Sequence, residues 1–261
     1  MQQVGIVGVG LLGTAMAGRL LRDGFDVVGF DLDQQRREQL SELGGRPVES
    51  AREVAHSCKR IVLSLPNSGI AVAVIDDIVG SLSPDSIVID TTTGDPETMK
   101  GLGNRLAEHG VSYLDSTVAG SSKQAHLGDV VVMVGGDSRA FESCRDIYGA
   151  IARETVHVGE CGSGAQMKLV VNLILGLNRA VLAEGLSYAR SLGLDLPNVL
   201  DLLKLTVAYS RVMDSKGEKM VAGDFSTEAR LSQHLKDVRL ILATASETDR
   251  SLPLSRLHEE L

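Results

Sequence analysis

Apolar positions along this chain follow two rhythms, and the rhythm changes once. Over the first 160 residues, short runs rich in Val, Ile and Leu alternate with longer amphipathic stretches. The runs are Val4–Val7, Val27–Phe30, Ile61–Leu65, Ile87–Ile89, Ser112–Leu114, Val130–Val134 and Thr155–Val158. Between most of them apolar residues recur at helical spacing, as in Leu11–Leu21 and Pro96–Glu108. Turn residues punctuate the series at Gly24, Gly44–Gly45, Pro84–Asp85, Gly110 and Gly135–Gly136. Strands separated by helix-length spacers predict βαβ units and a parallel sheet. The later strands lie closer together, which predicts a mixed far edge.

After about residue 160 the strand rhythm stops. Gly164–Arg190 reads as one long helix, apolar nearly all round in its first half, the pattern of a buried helix. Further helices are expected at Leu196–Thr206, Glu228–Ser246 and Leu254–Glu259. The expected organisation is an α/β domain over residues 1–160 and an all-α domain over residues 161–261, joined by the long helix.

Composition narrows the class. Hydrophobic residues make up 43% of the 261 and charged residues 23%, as in a soluble globular protein. Aromatics are only 3% and tryptophan is absent, so Val, Ile, Leu and Ala must fill the core, the usual filling of a helix-covered parallel sheet. Twenty-six basic against 34 acidic residues give a net charge of −8, which argues against a nucleic-acid partner. The three cysteines and six histidines are scattered, with no CxxC and no HExxH, so neither a disulfide framework nor a metal is expected. No charged leader and no run of about 18 apolar residues is visible, so the expectation is a cytoplasmic protein without a membrane span.

Candidate chemistry begins directly after the first strand. Gly8-Val9-Gly10-Leu11-Leu12-Gly13 is a GxGxxG turn leading into a helix. Gly8 allows the tight turn, Gly10 lets the backbone approach a pyrophosphate, and Gly13 lets helix and strand pack closely. The helix N-terminus adds N–H groups and a positive dipole end. The second strand ends at Asp31, 18 residues past Gly13, near the spacing of the acid that binds an adenosine ribose. A carboxylate there accepts from the 2′-hydroxyl and repels a 2′-phosphate, which favours NAD. Arg36 and Arg37 are close enough to keep NADP open, and Asp31 has a second reading as a cap for the next helix. The first domain therefore reads as Rossmann-type.

The long helix carries a second candidate. Lys168 is the only charged residue between Cys161 and Asn178, and Asn172 follows one turn later on the same face. A lysine in an apolar helix is costly unless paired or placed beside open space. Gly164 and Gly176 share its stripe and are expected to leave room for a small molecule. Partial desolvation would lower the lysine's pKa and suit it to proton transfer, whereas a snorkelling lysine is the structural alternative. Asp115, Ser116 and Thr117 fall at a predicted strand end, where substrate contact and plain turn chemistry both fit. Cys161 is read as structural and His126 as solvated.

Four motifs across the chain resemble the β-hydroxyacid dehydrogenase (3-hydroxyisobutyrate dehydrogenase-like) family. GVGLLGTAMAGRLLRDG is similar to its GxGxMG turn, with Leu12 for Met. LDSTVAGSSKQAHLGDVVVMVGG is similar to the DAPVSGG substrate loop, GSGAQMKLVVN to GxGxxxKxxNN, and HLKDVRLILA to the C-terminal KD motif. The resemblance implies a catalytic Lys168 with Asn172, a cofactor touched by Leu65, Pro66, Thr93 and Lys236, and a substrate held near Gly120, with Ser121 or Ser122 supplying a displaced hydroxyl. It also implies hydride transfer between NAD (NADP not excluded) and a small hydroxyacid or the matching semialdehyde. The long helix is apolar on more than one face in Leu169–Val181, and a helical domain short of its last helix is expected to leave part of it uncovered, which association in a homo-oligomer, dimer or tetramer, would bury. Ala119 replaces the family's serine, Ser121 its last glycine and Val171 its first asparagine, and the chain ends soon after Pro253, where the family usually continues for another helix. An imine reductase-like enzyme and a non-catalytic NAD(P)-binding protein are the two alternatives; the retained lysine disfavours the first.

Overall fold

Eight strands join in one sheet in the order β3-β2-β1-β4-β5-β6-β7-β8. The chain enters it through β1 (Gln3–Val7), α1 (Leu11–Arg22), β2 (Asp26–Phe30), α2 (Gln34–Glu42), β3 (Arg46–Pro47), α3 (Ala51–Ser57), β4 (Arg60–Leu63), α4 (Ser68–Ile78), β5 (Ile87–Asp90), α5 (Pro96–Ala107) and β6 (Ser112–Ala119). These strands pair in parallel. After α6 (Ser122–Leu127), β7 (Val131–Gly135) runs antiparallel to β6; α7 (Ser138–Glu142) and α8 (Arg145–Ile151) lead to β8 (Glu154–Gly159), parallel to β7. The far edge is mixed, as the strand spacing predicts. The computed structural model describes residues 2–226 and 231–261 and divides into two compact units, the first through Lys168 and the second from Leu169.

Strand alternation accounts for the two cores of the first unit. On β1, Val4 and Ile6 pack into one apolar cluster with Leu20, Ile89, Leu114 and Tyr148. Val7 points the other way, into a cluster with Val28, Ile61, Leu63, Ile75 and Leu102. A sheet covered on both faces needs apolar residues at consecutive positions, which is why its strands read as runs. Two differences from the sequence pattern stand out. The two-residue β3 is too short to leave a pattern. β6 continues five residues past Leu114, because Asp115 to Ala119 pair with Gly135 to Val131 on β7. Asp115, Ser116 and Thr117 are therefore interior strand residues, 1%, 0% and 0% exposed, and not turn residues.

The second unit is helical: most of α9 (Ser163–Ser191), α10 (Leu196–Lys204), a short π-helical segment at Met213–Gly217, α11 (Glu218–Ala222), α12 (Leu231–Glu247) and α13 (Pro253–Glu260). Its core is Leu182, Leu186, Leu200, Val212 and Met213. The start of the helix expected at Glu228–Ser246 lies outside the described residues. The division between units falls inside α9, eight residues beyond the expected boundary at 160/161. The physical reason is that the first turn of α9 is hydrogen-bonded to β6. α9 is only partly buried, as expected of a helix apolar on more than one face. Val170, Ile174, Val181 and Tyr188 are 49%, 53%, 68% and 66% exposed, a stripe with the 3.6-residue period of one helix face. By length and composition alone α9 passes for a membrane span, yet it carries Lys168, Asn172 and Arg179.

Candidate active site

The carboxyl ends of β1, β2, β4 and β5 carry Gly8–Gly13, Asp31, Leu65, Pro66 and Thr93, on either side of the point where strand order reverses, whereas Lys236 lies on α12 of the second unit. Each glycine of the turn has a distinct steric reason. Gly8 has φ +91°, and a Cβ there would lie 2.3 Å from the Ser64 carbonyl oxygen. A Cβ on Gly13 would lie 2.0 Å from the Gly8 carbonyl oxygen. At Gly10, by contrast, a Cβ would meet no heavy atom within 4 Å, so the backbone faces open space. α1 starts there with no side-chain cap and no acidic residue in its first turn. An uncapped N-terminus facing open space fits a pyrophosphate.

Asp31 closes the turn from the side. Its Oδ2 accepts the Val9 N–H at 2.7 Å and its Oδ1 the Asp33 N–H at 2.9 Å. Capping of α2 falls to Asp33, which accepts from Gln35, so Asp31 is not the helix cap. Val9 is fully buried, Leu12 packs on the core and Leu11 is 65% exposed. Arg37 donates to the Asp31 and Leu32 carbonyl oxygens at 2.7 and 3.3 Å, and Arg36 to Gln39. Leu65, after β4, donates its N–H to Thr92 at 3.3 Å; Pro66 is exposed, and Thr93 sits half-buried in the loop after β5.

Lys168 lies in the second turn of α9, against the end of β6. Its Nζ donates to the Val118 carbonyl oxygen at 2.7 Å, near the end of β6. Two residues on, Gly120 has φ +152°, and a Cβ would sit 2.6 Å from Val130 Cγ1, so only glycine fits. Two of the hydroxyls expected near it, Ser116 and Ser121, are engaged elsewhere. Ser116 is fully buried and shares a 2.7 Å hydrogen bond with Tyr148, which removes it from substrate contact. Ser121 caps α6 in a reciprocal capping box with Gln124. The room expected beside Gly164 and Gly176 is filled: a Cβ on Gly164 would lie 2.1 Å from the Asp115 carbonyl oxygen, and one on Gly176 2.8 Å from His258. Burial pushes the Cys161 thiol up to about 12, in keeping with a structural role.

In the helical unit, Asn172 is 9% exposed and its Nδ2 donates to Asp237 Oδ2 at 3.0 Å. Lys236 Nζ lies 3.2 Å from the other oxygen of Asp237. Asp237 was not singled out from the sequence; its only signal there is the Lys-Asp dipeptide. His234 and His258 approach Nε2 to Nε2 at 3.3 Å over Gly176. Burial, and then the neighbouring His258 and Arg179, lower the pKa of His234, against the pull of Asp237. Among the described residues no group of three or more metal-ligating side chains occurs.

Residues 3–159 match the NAD binding domain of 6-phosphogluconate dehydrogenase. Residues 162–261 match the domain described as NAD-binding of NADP-dependent 3-hydroxyisobutyrate dehydrogenase. The chain is 30% identical over 263 residues to 2-(hydroxymethyl)glutarate dehydrogenase of Eubacterium barkeri, covering 99% of this chain and 87% of that protein. The chain belongs to the β-hydroxyacid dehydrogenase family. Within the family it is also 30% identical over 261 residues to glyoxylate/succinic semialdehyde reductase 1 of Arabidopsis thaliana, covering 99% and 90%. The Mycobacterium tuberculosis 3-hydroxyisobutyrate dehydrogenase, solved with L-serine, superposes with a TM-score of 0.92 over 100% of this chain and 92% of that one, at 22% identity. An imine reductase from Streptomyces aurantiacus shares the fold more distantly, at a TM-score of 0.73 and 18% identity over 99% and 92%. As a β-hydroxyacid dehydrogenase family member, the chain is an oxidoreductase with a domain for a nicotinamide dinucleotide.

Proposed function

We propose that this family member oxidises the hydroxyl-bearing carbon of a small hydroxyacid, or reduces the matching semialdehyde, with Lys168 as general acid/base. The observation that carries the reading is the Lys168 ammonium, held 2.7 Å from the Val118 carbonyl oxygen, two residues before Gly120. In oxidation the neutral lysine takes the hydroxyl proton as the carbonyl forms; in reduction the ammonium returns it. The Gly120 backbone approaches the substrate carboxylate. Asn172, one helical turn after Lys168, is proposed to orient the reacting oxygen on the strength of that spacing. The nicotinamide dinucleotide, when bound, supplies the hydride chemistry. Gly8 to Gly13 would hold its pyrophosphate, with Leu65, Pro66 and Thr93 along its length and Lys236 toward its nicotinamide. Asp31 would hold the adenosine ribose and favour NAD. Arg37, tied to the Asp31 and Leu32 carbonyls, is occupied rather than extended toward a 2′-phosphate.

We further propose a homo-oligomer through the helical unit, because the exposed stripe Val170, Ile174, Val181 and Tyr188 is an apolar face that association would bury. Light scattering at micromolar concentration checks this; a monomer refutes it. A reducing, cytoplasmic location is supported by three unpaired cysteines, two of them buried. The function is tested by a spectrophotometric screen of small hydroxyacids with NAD and NADP, run beside Lys168→Ala. Turnover that the variant loses supports the reading. Cofactor binding with no turnover would mark a binding protein, and reduction of a cyclic imine in place of a semialdehyde an imine reductase.

A further inference from the structure

Side chains alternate along β6, so Asp115 and Thr117 share one face and Ser116 takes the other. On the Asp115 face lies the beginning of α9. Asp115 Oδ1 accepts the Gly162 N–H at 3.0 Å, and Oδ2 accepts the Ala165 N–H at 2.8 Å. Thr117 Oγ1 donates to the Gly164 carbonyl at 2.8 Å. The first amides of a helix need partners from outside it, usually the side chain just ahead. Gly162 precedes α9 and has no side chain, so a strand carboxylate distant in sequence caps the helix instead. The approach is close: Gly164 has space for no Cβ against the Asp115 and Met133 carbonyl oxygens, at 2.1 and 2.8 Å.

Lys168 is the next position along that helical face. By α-helical register its N–H bonds the same Gly164 carbonyl that Thr117 holds. Its Nζ reaches Val118, the strand residue after Thr117. Residues 115, 117 and 118 thus grip residues 162, 164, 165 and 168 in order, which sets both the rotation and the advance of α9 over β6. Asp115 and Thr117 are 1% and 0% exposed, so neither touches a substrate. We infer that Asp115 and Thr117 are positioning residues, which act by fixing where the Lys168 ammonium stands. The inference rests on the acid/base reading of Lys168.

The test is a cycle of wild type, Thr117→Val, Lys168→Ala and the double variant, with Thr117→Ser as control. Valine keeps the shape and removes only the hydroxyl. Thr117→Val is expected to lower kcat by roughly 10- to 100-fold, the scale of a misplaced catalytic group. KM and cofactor affinity should stay within about twofold, with cooperative melting retained. The lysine limb of its pH–rate profile should be displaced, which a merely structural role would not do. Thr117→Ser should return kcat to within about threefold of wild type, and in the Lys168→Ala background Thr117→Val should cost nothing further. Asp115→Asn, which loses the charge and one acceptor, replaces Thr117→Val in the cycle if that variant does not fold. A crippled Lys168→Ala beside a fully active Thr117→Val overturns the positioning role alone. Additive losses overturn it as well. A fully active Lys168→Ala overturns the acid/base reading, and the positioning role with it.

Discussion

The two units of this chain present their candidate residues in different material. At the carboxyl end of the sheet the first unit offers backbone: the bare Gly10 and the uncapped start of α1, braced by one carboxylate through the Val9 N–H. The helical unit offers side chains joined across helices, Asn172 on α9 to Asp237 on α12, beside its neighbour Lys236, and His234 on α12 to His258 on α13. A backbone site depends on what is missing, a Cβ, and its parts lie close together in sequence. A side-chain site depends on partners that only packing supplies. The two should respond differently to mutation.

The largest effect should come where α9 leaves the first unit. Lys168→Ala should lower kcat by roughly 10²–10⁴-fold while leaving cofactor affinity unchanged. Lys168→Arg should restore little, because arginine stays protonated and cannot act as a base. Steady-state kinetics with a cofactor titration separate these effects, and kcat within a few-fold of wild type would break the assignment.

Next in size is a contrast within the glycine turn. Gly10→Ala meets no protein atom, so its melting temperature should hold while NAD affinity falls by about tenfold or more, some 1.4 kcal/mol. Gly13→Ala drives a Cβ against the Gly8 carbonyl and should cost roughly 1–3 kcal/mol of stability whether or not cofactor is present. Thermal melts with and without NAD tell the two apart; a destabilised Gly10→Ala would contradict an open cradle. Asp31→Ala should weaken NAD by about tenfold and narrow the gap to NADP, as it removes an acceptor and a repulsive charge. Dissociation constants for both cofactors measure this, and a wild type that prefers NADP tenfold would refute the role.

The smallest effect belongs to the helical unit. His234 is held below its ordinary 6.5, by burial first and then by His258 and Arg179. As pH falls through 6.5, the unfolded chain takes up a proton that the folded one resists, so stability contributed above 6.5 is lost toward acid. His234→Gln should flatten that limb of melting temperature against pH; an unchanged slope would show that other groups carry it.

The division between legible and illegible follows the same line. The glycine turn, the strand series, the Rossmann-type order, Lys168 and the length of α9 could be read from the chain, because periodicity, glycine spacing and a lone charge in an apolar stretch are local signals. What the polar positions of β6 do could not. Asp115, Ser116 and Thr117 read as a strand end until β7 pairs with them and α9 and Tyr148 take their side chains. Gly164 and Gly176 read as room until Asp115 and His258 fill it, and Ser121 reads as a substrate hydroxyl until Gln124 takes it. Asn172 read as a site residue without Asp237, its partner 65 positions away. The sequence by itself determined which backbone could bend, approach or cross, since Cβ sterics and apolar period belong to each residue and its neighbours. Only the tertiary structure decided which polar groups are free to act, since a hydrogen bond is settled by whichever partner packing brings within about 3 Å.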